Sequence, residues 1–223
     1  MSSLERYFEK SELWRELLRK YQSIAVIRTS DPEIGLNMAK AVAAGGMHLI
    51  EITWNSTQPA QLIQQLRQEL PECTLGTGTI LTPQELEAAI AAEVQFCFTP
   101  HVSPKLIEMA IQAQIPIIPG ALSPTEIITA WQLGASCVKV FPVQAMGGIG
   151  YIKGLQGPLG SIPLIPTGGV TLDNASLFIE AGAIAVGLSG QLFPPEAINN
   201  NEWEIVTQRA ELLLEKLSLD KKI

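Results

Sequence analysis

PIIPGALSPTEIITAWQLGASCVKVFP (residues 116–142) holds one complete repeat of the fold. Its first run, 116–121, is apolar at both parities, the pattern of a strand covered on both faces. Ser123 then opens a helix, with Pro124 suited to the first turn and Glu126 at the capping-box spacing. Gly134 ends that helix, because the residue just past a helix favours positive φ. A second apolar run, 137–142, follows at once. Strand, helix and strand in this order make a parallel βα repeat.

Six more runs of the same kind flank it: 23–28, 48–54, 74–80, 95–100, 163–169 and 184–190. Their starts lie about 20 to 26 residues apart, one βα unit each. The stretches between them repeat the same punctuation. Asp31-Pro32, Thr82-Pro83 and Ser103-Pro104 open helices, and Glu85 stands three residues after Thr82. Ala44-Gly45-Gly46 and Ala181-Gly182 close them. Eight repeats without a break in composition predict a (β/α)8 TIM barrel, an α/β fold forming a single domain over 1–223. The segment 1–21 is expected to be an extra N-terminal helix, its helical part at 3–20, capping the N-terminal mouth of the barrel. A helix from about Pro195 to Leu217 is expected to close the fold.

Composition narrows the function. Of 223 residues, 47% are hydrophobic, enough for a sizeable core. Fifteen Lys plus Arg against 22 Asp plus Glu give a net charge of −7. That balance argues against nucleic acid, which needs basic surface to neutralise phosphates, but leaves room for a local cationic pocket. His48 and His101 are far apart in sequence, and no HExxH, HxH or CxxC spacing occurs, so no metal site is expected. Cys73, Cys97 and Cys137 sit in apolar runs and read as free thiols in a reducing compartment. The first 21 residues are charged and amphipathic, unlike a secretion signal. No apolar run approaches the ~20 residues of a membrane span. A soluble, cytoplasmic protein without a membrane partner is the expectation.

In such a barrel the chemistry lies at the C-terminal ends of the strands. The polar residues there are Arg28, Glu51, Thr53, Thr77, Thr79, Thr99, Lys139, Thr167 and Ser189. Lys139 has no charged neighbour in its run. If it points inward, removal from water favours the neutral amine, the form that attacks a carbonyl to make a Schiff base. The alternative is a structural lysine paired with a carboxylate. Glu51 is likewise set among apolar residues, and desolvation would suit it to general acid/base work. Its alternative is an ion pair with a buried cation, Lys139 included. Arg28 can bind a carboxylate at the barrel mouth or pair with Asp31. Thr79, beside Gly76 and Gly78, can donate to the same carboxylate, and Thr77 has the same parity. Thr167-Gly168-Gly169 and Gly187-Leu188-Ser189-Gly190 lie where barrels hold phosphate on glycine loops and the N-terminus of a short helix; tight turns alone are the other reading. Pro100 and His101 would shape the rim, and Trp54, Trp131 and Phe141 read as packing residues.

Five pieces carry a resemblance: Glu-Ile-Thr (51–53), Gly-Thr-Gly-Thr (76–79), Thr-Pro-His (99–101), Lys-Val-Phe-Pro (139–142) and Pro-Thr-Gly-Gly-Val (166–170). In this order, over about Ser23 to Phe193, the chain resembles the 2-keto-3-deoxy-6-phosphogluconate (KDPG) and 4-hydroxy-2-oxoglutarate (KHG) aldolase family. The resemblance implies a metal-free class I aldolase on a (β/α)8 barrel, with no cofactor beyond the lysine imine and usually a homotrimer. It implies Lys139 as the Schiff-base residue and Glu51 as the general acid/base. By the same resemblance Thr79 holds the pyruvyl carboxylate, Pro100 and Phe141 line the pocket, and Gly168 and Gly169 serve a phosphate. Some members carry a carboxylate-binding arginine four residues after the glutamate, where this chain has Asn55. Others carry it in a motif similar to Ala-Val-Ile-Arg (25–28), which Arg28 fits. The family's Gly-Ser after strand eight is reversed here to Ser189-Gly190, a change that favours smaller, unphosphorylated 2-oxo acids. The expected reaction is cleavage of a KDPG- or KHG-type substrate to pyruvate and an aldehyde. Two rivals stay open: oxaloacetate decarboxylation through the same imine, and a non-catalytic barrel that binds a phosphorylated metabolite.

Overall fold

Each of the eight apolar runs becomes a parallel strand in the computed structural model, which describes residues 3–219. They are β1 (Ser23–Ile27), β2 (Leu49–Thr53), β3 (Thr74–Gly78), β4 (Cys97–Thr99), β5 (Ile117–Ala121), β6 (Val138–Val140), β7 (Leu164–Pro166) and β8 (Val186–Leu188). The order is β7-β6-β5-β4-β3-β2-β1-β8, and a bridge between Thr167 and Gly187 joins the two ends. The sheet therefore closes on itself as a (β/α)8 TIM barrel. Parallel strands need crossovers, and α2 (Pro32–Ala44), α3 (Pro59–Glu69), α4 (Pro83–Ala91), α5 (Pro104–Gln112), α6 (Pro124–Gln132), α7 (Ile149–Leu159) and α8 (Ala175–Glu180) supply them.

The punctuation works as the sequence suggests. The Asp31 carboxylate accepts the Glu33 N–H at 2.9 Å, and Thr82 and Ser123 each form a full capping box with Glu85 and Glu126. Gly46, Gly134 and Gly182, which follow α2, α6 and α8, all have positive φ.

Alternate residues of each strand serve two cores. Ile27, Ile50, Leu75, Ile117 and Val138 face the helices, while Ile24, Leu49, Phe96, Phe98, Ile118 and Ile165 fill the barrel. Helix α1 (Ser3–Tyr21) plugs the N-terminal mouth: Trp14 stacks on Phe96 with ring centroids 4.4 Å apart, and Leu18 is buried beside it. Its Tyr7 hydroxyl donates to the Gly134 carbonyl at 2.7 Å, and Arg15 donates to the Ser136 carbonyl at 3.1 Å. These bonds seat the plug against the lead-in to β6. Residues 1 and 2 of the expected 1–21 helix, and 220–223 of the expected domain, lie outside the described residues.

The closing helix differs from expectation. It splits into α9 (Pro195–Asn199) and α10 (Trp203–Leu219). Asn201 stands at φ 57 between them, a left-handed turn that asparagine tolerates and a continuous helix does not. Among the described residues no helix is long and apolar enough to cross a membrane.

Candidate active site

The open end of the barrel holds a cavity of about 490 Å³. All twelve residues singled out above as catalytic or substrate-binding line it: Arg28, Glu51, Thr79, Pro100, Lys139, Phe141, Thr167, Gly168, Gly169, Gly187, Ser189 and Gly190. Val26, Thr53, Val170, Thr171 and Gln191 complete the wall. Strand parity explains the convergence. Cys137, Lys139 and Phe141 share one side of β6, and Cys137 lies in the barrel core, so Lys139 points inward one layer higher.

Lys139 is 8% exposed, and its Nζ lies 4.9 Å from the Phe141 ring centre and 5.6 Å from that of Phe98. Both rings present π faces that tolerate a cationic or imine nitrogen. Among the described residues no carboxylate oxygen comes within 4.0 Å of this amine. The direct lysine–carboxylate ion pair, the structural alternative for both Lys139 and Glu51, is thus not formed.

Glu51 is 2% exposed, and its Oε1 is buried without a hydrogen-bond partner. Burial pushes its carboxyl above the ordinary carboxylate value, and the charges of Lys139 and Arg28 pull only partly the other way. Its place is set by Gly78 of β3: a Cβ there would lie 1.8 Å from Glu51 Oε1. Gly78→Ala is therefore expected to displace the carboxyl and lower kcat by about 10²-fold. Steady-state kinetics beside a urea melt check this; unchanged kcat in a folded variant contradicts it. Cys97 lies near enough that burial first, and the charge of Glu51 second, raise its thiol.

Thr77 and Thr79 share parity but not role. Thr77 is fully buried, and its Oγ1 donates to the Ile52 carbonyl at 2.8 Å, away from the cavity. Thr79 escapes that side because β3 ends at Gly78 and Thr79 itself has φ 62. A β-branched residue in the left-handed region carries strain of about 1–3 kcal/mol, here at a residue that reaches the cavity.

Arg28 lies exposed at the mouth. Asp31, its alternative partner, is occupied as a helix cap, and no described carboxylate lies within 4.0 Å of the guanidinium. A cation free at the rim beside an inward amine suits an anionic carbonyl compound. Across the cavity, Gly168 and Gly169 have φ 82 and 101 and form the loop after β7. After β8 the chain passes through a turn closed by the Leu192 N–H on the Ser189 carbonyl at 2.8 Å before α9 begins at Pro195.

The two histidines stand apart from this cavity. His101 is exposed and offers its carbonyl to Thr99 Oγ1, whereas His48 stacks on Tyr21 with centroids 4.5 Å apart. Among the described residues no three His, Cys, Asp or Glu side chains gather as a metal site would. Thr53, Thr171 and Gln191 carry polar groups at the wall. Of these only Thr53 had a signal in the sequence, as a polar residue closing an apolar strand.

Comparison with known proteins places this geometry. The family model described as "Aldolase: KDPG and KHG aldolase" matches residues 15–209. A 2-dehydro-3-deoxy-phosphogluconate aldolase of Haemophilus influenzae is 31% identical over 189 residues, 85% of this chain and 89% of that protein. A KDPG aldolase of Legionella pneumophila, solved with pyruvate captured at low pH as a covalent carbinolamine intermediate, superposes with a TM-score of 0.83. It is 28% identical, over 89% of this chain and 97% of that one. A designed cube-shaped protein cage, made by fusing symmetric oligomeric domains, matches with a TM-score of 0.83 at 30% identity over 91% of this chain and 74% of that one. With an inward amine, a buried carboxyl and a barrel of matching shape already in place, these likenesses show that the chain belongs to the KDPG and KHG aldolase family, whose members are carbon–carbon lyases.

Proposed function

We propose that this chain is a class I aldolase that cleaves a 4-hydroxy-2-oxo acid of the KDPG or KHG type to pyruvate and an aldehyde. The observation that carries the proposal is the Lys139 amine, 8% exposed inside the barrel, unpaired by any described carboxylate and sharing one cavity with Glu51. A structural lysine in such surroundings would be expected to hold a counter-ion.

The unprotonated amine attacks the C2 ketone. Glu51 moves protons as the carbinolamine loses water. The resulting iminium accepts the electron pair of the C3–C4 bond as the C4 hydroxyl gives its proton to Glu51. An enamine and an aldehyde result. Protonation at C3 and hydrolysis release pyruvate and the free lysine. Arg28 and Thr79 hold the carboxylate, which orients the breaking bond. Pro100 and Phe141 wall the reacting carbons, and Thr167, Gly168, Gly169, Gly187, Ser189 and Gly190 surround the distal end. The iminium formed on the lysine is the electron sink, so the cycle requires no cofactor or metal.

We assign the activity to one domain over 1–223, assembled as a homotrimer. The family resemblance supports that state, as does the likeness to domains used as symmetric oligomers. The free cysteines, with Cys97 and Cys137 buried, suit a reducing compartment, the cytoplasm.

Pyruvate and borohydride test the proposal. Reduction of the imine is expected to leave a stable adduct on the peptide containing Lys139, found by mass spectrometry. Absence of the adduct, where a known imine-forming aldolase is labelled, overturns it. Turnover of oxaloacetate exceeding that of both hydroxy acids would instead make the enzyme a decarboxylase.

A further inference from the structure

Thr53 ends β2 at the wall of the catalytic cavity and has no task in the aldol cycle. The strand register fixes its neighbours. Val26 pairs with Glu51 and Ile27 with Ile52, so Arg28, the next residue after β1, comes level with Thr53. On the other side Thr53 pairs with Gly78, the residue before Thr79. Positions 26 and 28, like 51 and 53, share one parity, and Val26, Arg28, Glu51 and Thr53 all line the cavity. Thr53 therefore stands between Arg28 and Thr79, the two groups that hold the pyruvyl carboxylate in the proposed cycle, and one layer above Glu51. Its side chain is braced from behind. The Thr53 and Ser56 hydroxyl oxygens lie 3.1 Å apart, and Ser56 Oγ also accepts the Thr29 N–H at 3.2 Å. Among the described residues the two hydroxyls make no other hydrogen bond. Thr53 is 1% exposed and Ser56 7%. Each hydroxyl has one proton to give. If Thr53 gives its proton to Ser56, the Ser56 proton is left without an acceptor in a buried loop. If Ser56 gives its proton to Thr53, the proton left over is the one on Thr53, at the cavity wall, where a substrate oxygen can take it. Buried polar groups are seldom left unpaired, which favours the second direction.

We propose that Thr53 is a third ligand of the substrate carboxylate, donating its hydroxyl proton between Arg28 and Thr79, and that Ser56 is the positioning residue that aims it. The inference rests on the aldolase reading and adds to the binding machinery of the same site. Ser56 serves two of the three carboxylate donors. It orients the Thr53 hydroxyl directly, and through the Thr29 N–H it ties down the peptide that follows Arg28. The division of labour is physical. Arg28 is exposed at the rim, so its guanidinium must be ordered when the substrate arrives. The Thr53 hydroxyl is already buried and aimed, so it adds direction without that cost.

The test is labelling of Lys139 by pyruvate and borohydride, read both as the half-saturating pyruvate concentration and as the rate at saturation. Thr53→Val keeps the β-branched shape and removes the hydroxyl. It is expected to raise the half-saturating concentration by about tenfold or more, with the saturated rate within about threefold. Thr53→Ser keeps a hydroxyl and should stay within about threefold of the unaltered enzyme in both readings. Ser56→Ala leaves the Thr53 hydroxyl present but unaimed, and should raise the half-saturating concentration by about three- to tenfold. An Arg28→Met background separates contact with substrate from mere support of Arg28. There Thr53→Val should weaken pyruvate again, by about fivefold or more. Labelling at saturation reports an intact site in each variant, and Ser56→Ala, a change in a loop, carries the test should Thr53→Val fail to fold. A half-saturating concentration unmoved in Thr53→Val, equal losses of rate and affinity, or no further loss in the Arg28→Met background overturns the role of Thr53. An unmoved value in Ser56→Ala overturns that of Ser56. Absence of labelling in the unaltered enzyme overturns the aldolase reading instead.

Discussion

Lys139→Met lowers turnover by about 10⁴-fold or more and abolishes the borohydride-trapped pyruvate adduct. Methionine is unbranched and of similar length, so it can fill the space between Phe98 and Phe141 without a cavity. No described ion pair is broken by the change, because none within 4.0 Å exists at this amine. The variant should therefore fold, and circular dichroism with a thermal melt checks that it does. Removing Lys139 also removes the stronger of the two electrostatic influences that hold down the Glu51 carboxyl, which then rises further. Activity retained within about tenfold would assign catalysis to another group. The non-catalytic reading makes the opposite forecast: binding of a phosphorylated metabolite would survive the substitution, and no adduct would exist to lose.

The barrel and its chemistry were legible because both follow from local rules. Apolar runs at βα spacing, with Ser, Thr or Asp before proline at the helix starts, left little freedom in topology. Lys139 and Glu51 were legible for a related reason: a charge inside a strand apolar at both parities has few places to go except the interior. Features that depend on distant segments or on backbone departures were not. Thr79 is legible in the sequence, but the φ of 62 by which it reaches the cavity is not, and Thr77 at the same parity turns away. The break between α9 and α10 hangs on Asn201, whose left-handed turn competes with continuation of the helix. Gln191 reaches the cavity from the turn between β8 and α9, which no periodic pattern marks.

Glu51→Gln separates what the carboxyl does for the reaction from what it does to the fold. Turnover is expected to fall by about 10²–10⁴-fold, because the amide cannot carry protons between carbinolamine, hydroxyl and enamine. Affinity for pyruvate, which the proposed mechanism assigns to Arg28 and Thr79, should change far less; equal losses in kcat and affinity would make Glu51 a binding group. Stability should move the other way. The unfolded carboxyl loses its proton near the ordinary value of 4.5, whereas burial keeps the folded one protonated to higher pH. Between those two values the unfolded chain binds fewer protons, so stability falls as pH rises, and above the higher value the loss is complete. Glutamine never ionises and lacks this slope. Thermal melts from about pH 4 to about pH 8 should show Glu51→Gln close to the unaltered enzyme in acid and more stable toward neutrality. An advantage confined to acid would mean that the folded environment favours the carboxylate. A carboxyl that weakens the barrel toward neutrality is accounted for by the proposed proton transfers, since selection for catalysis leaves such a cost to stability in place.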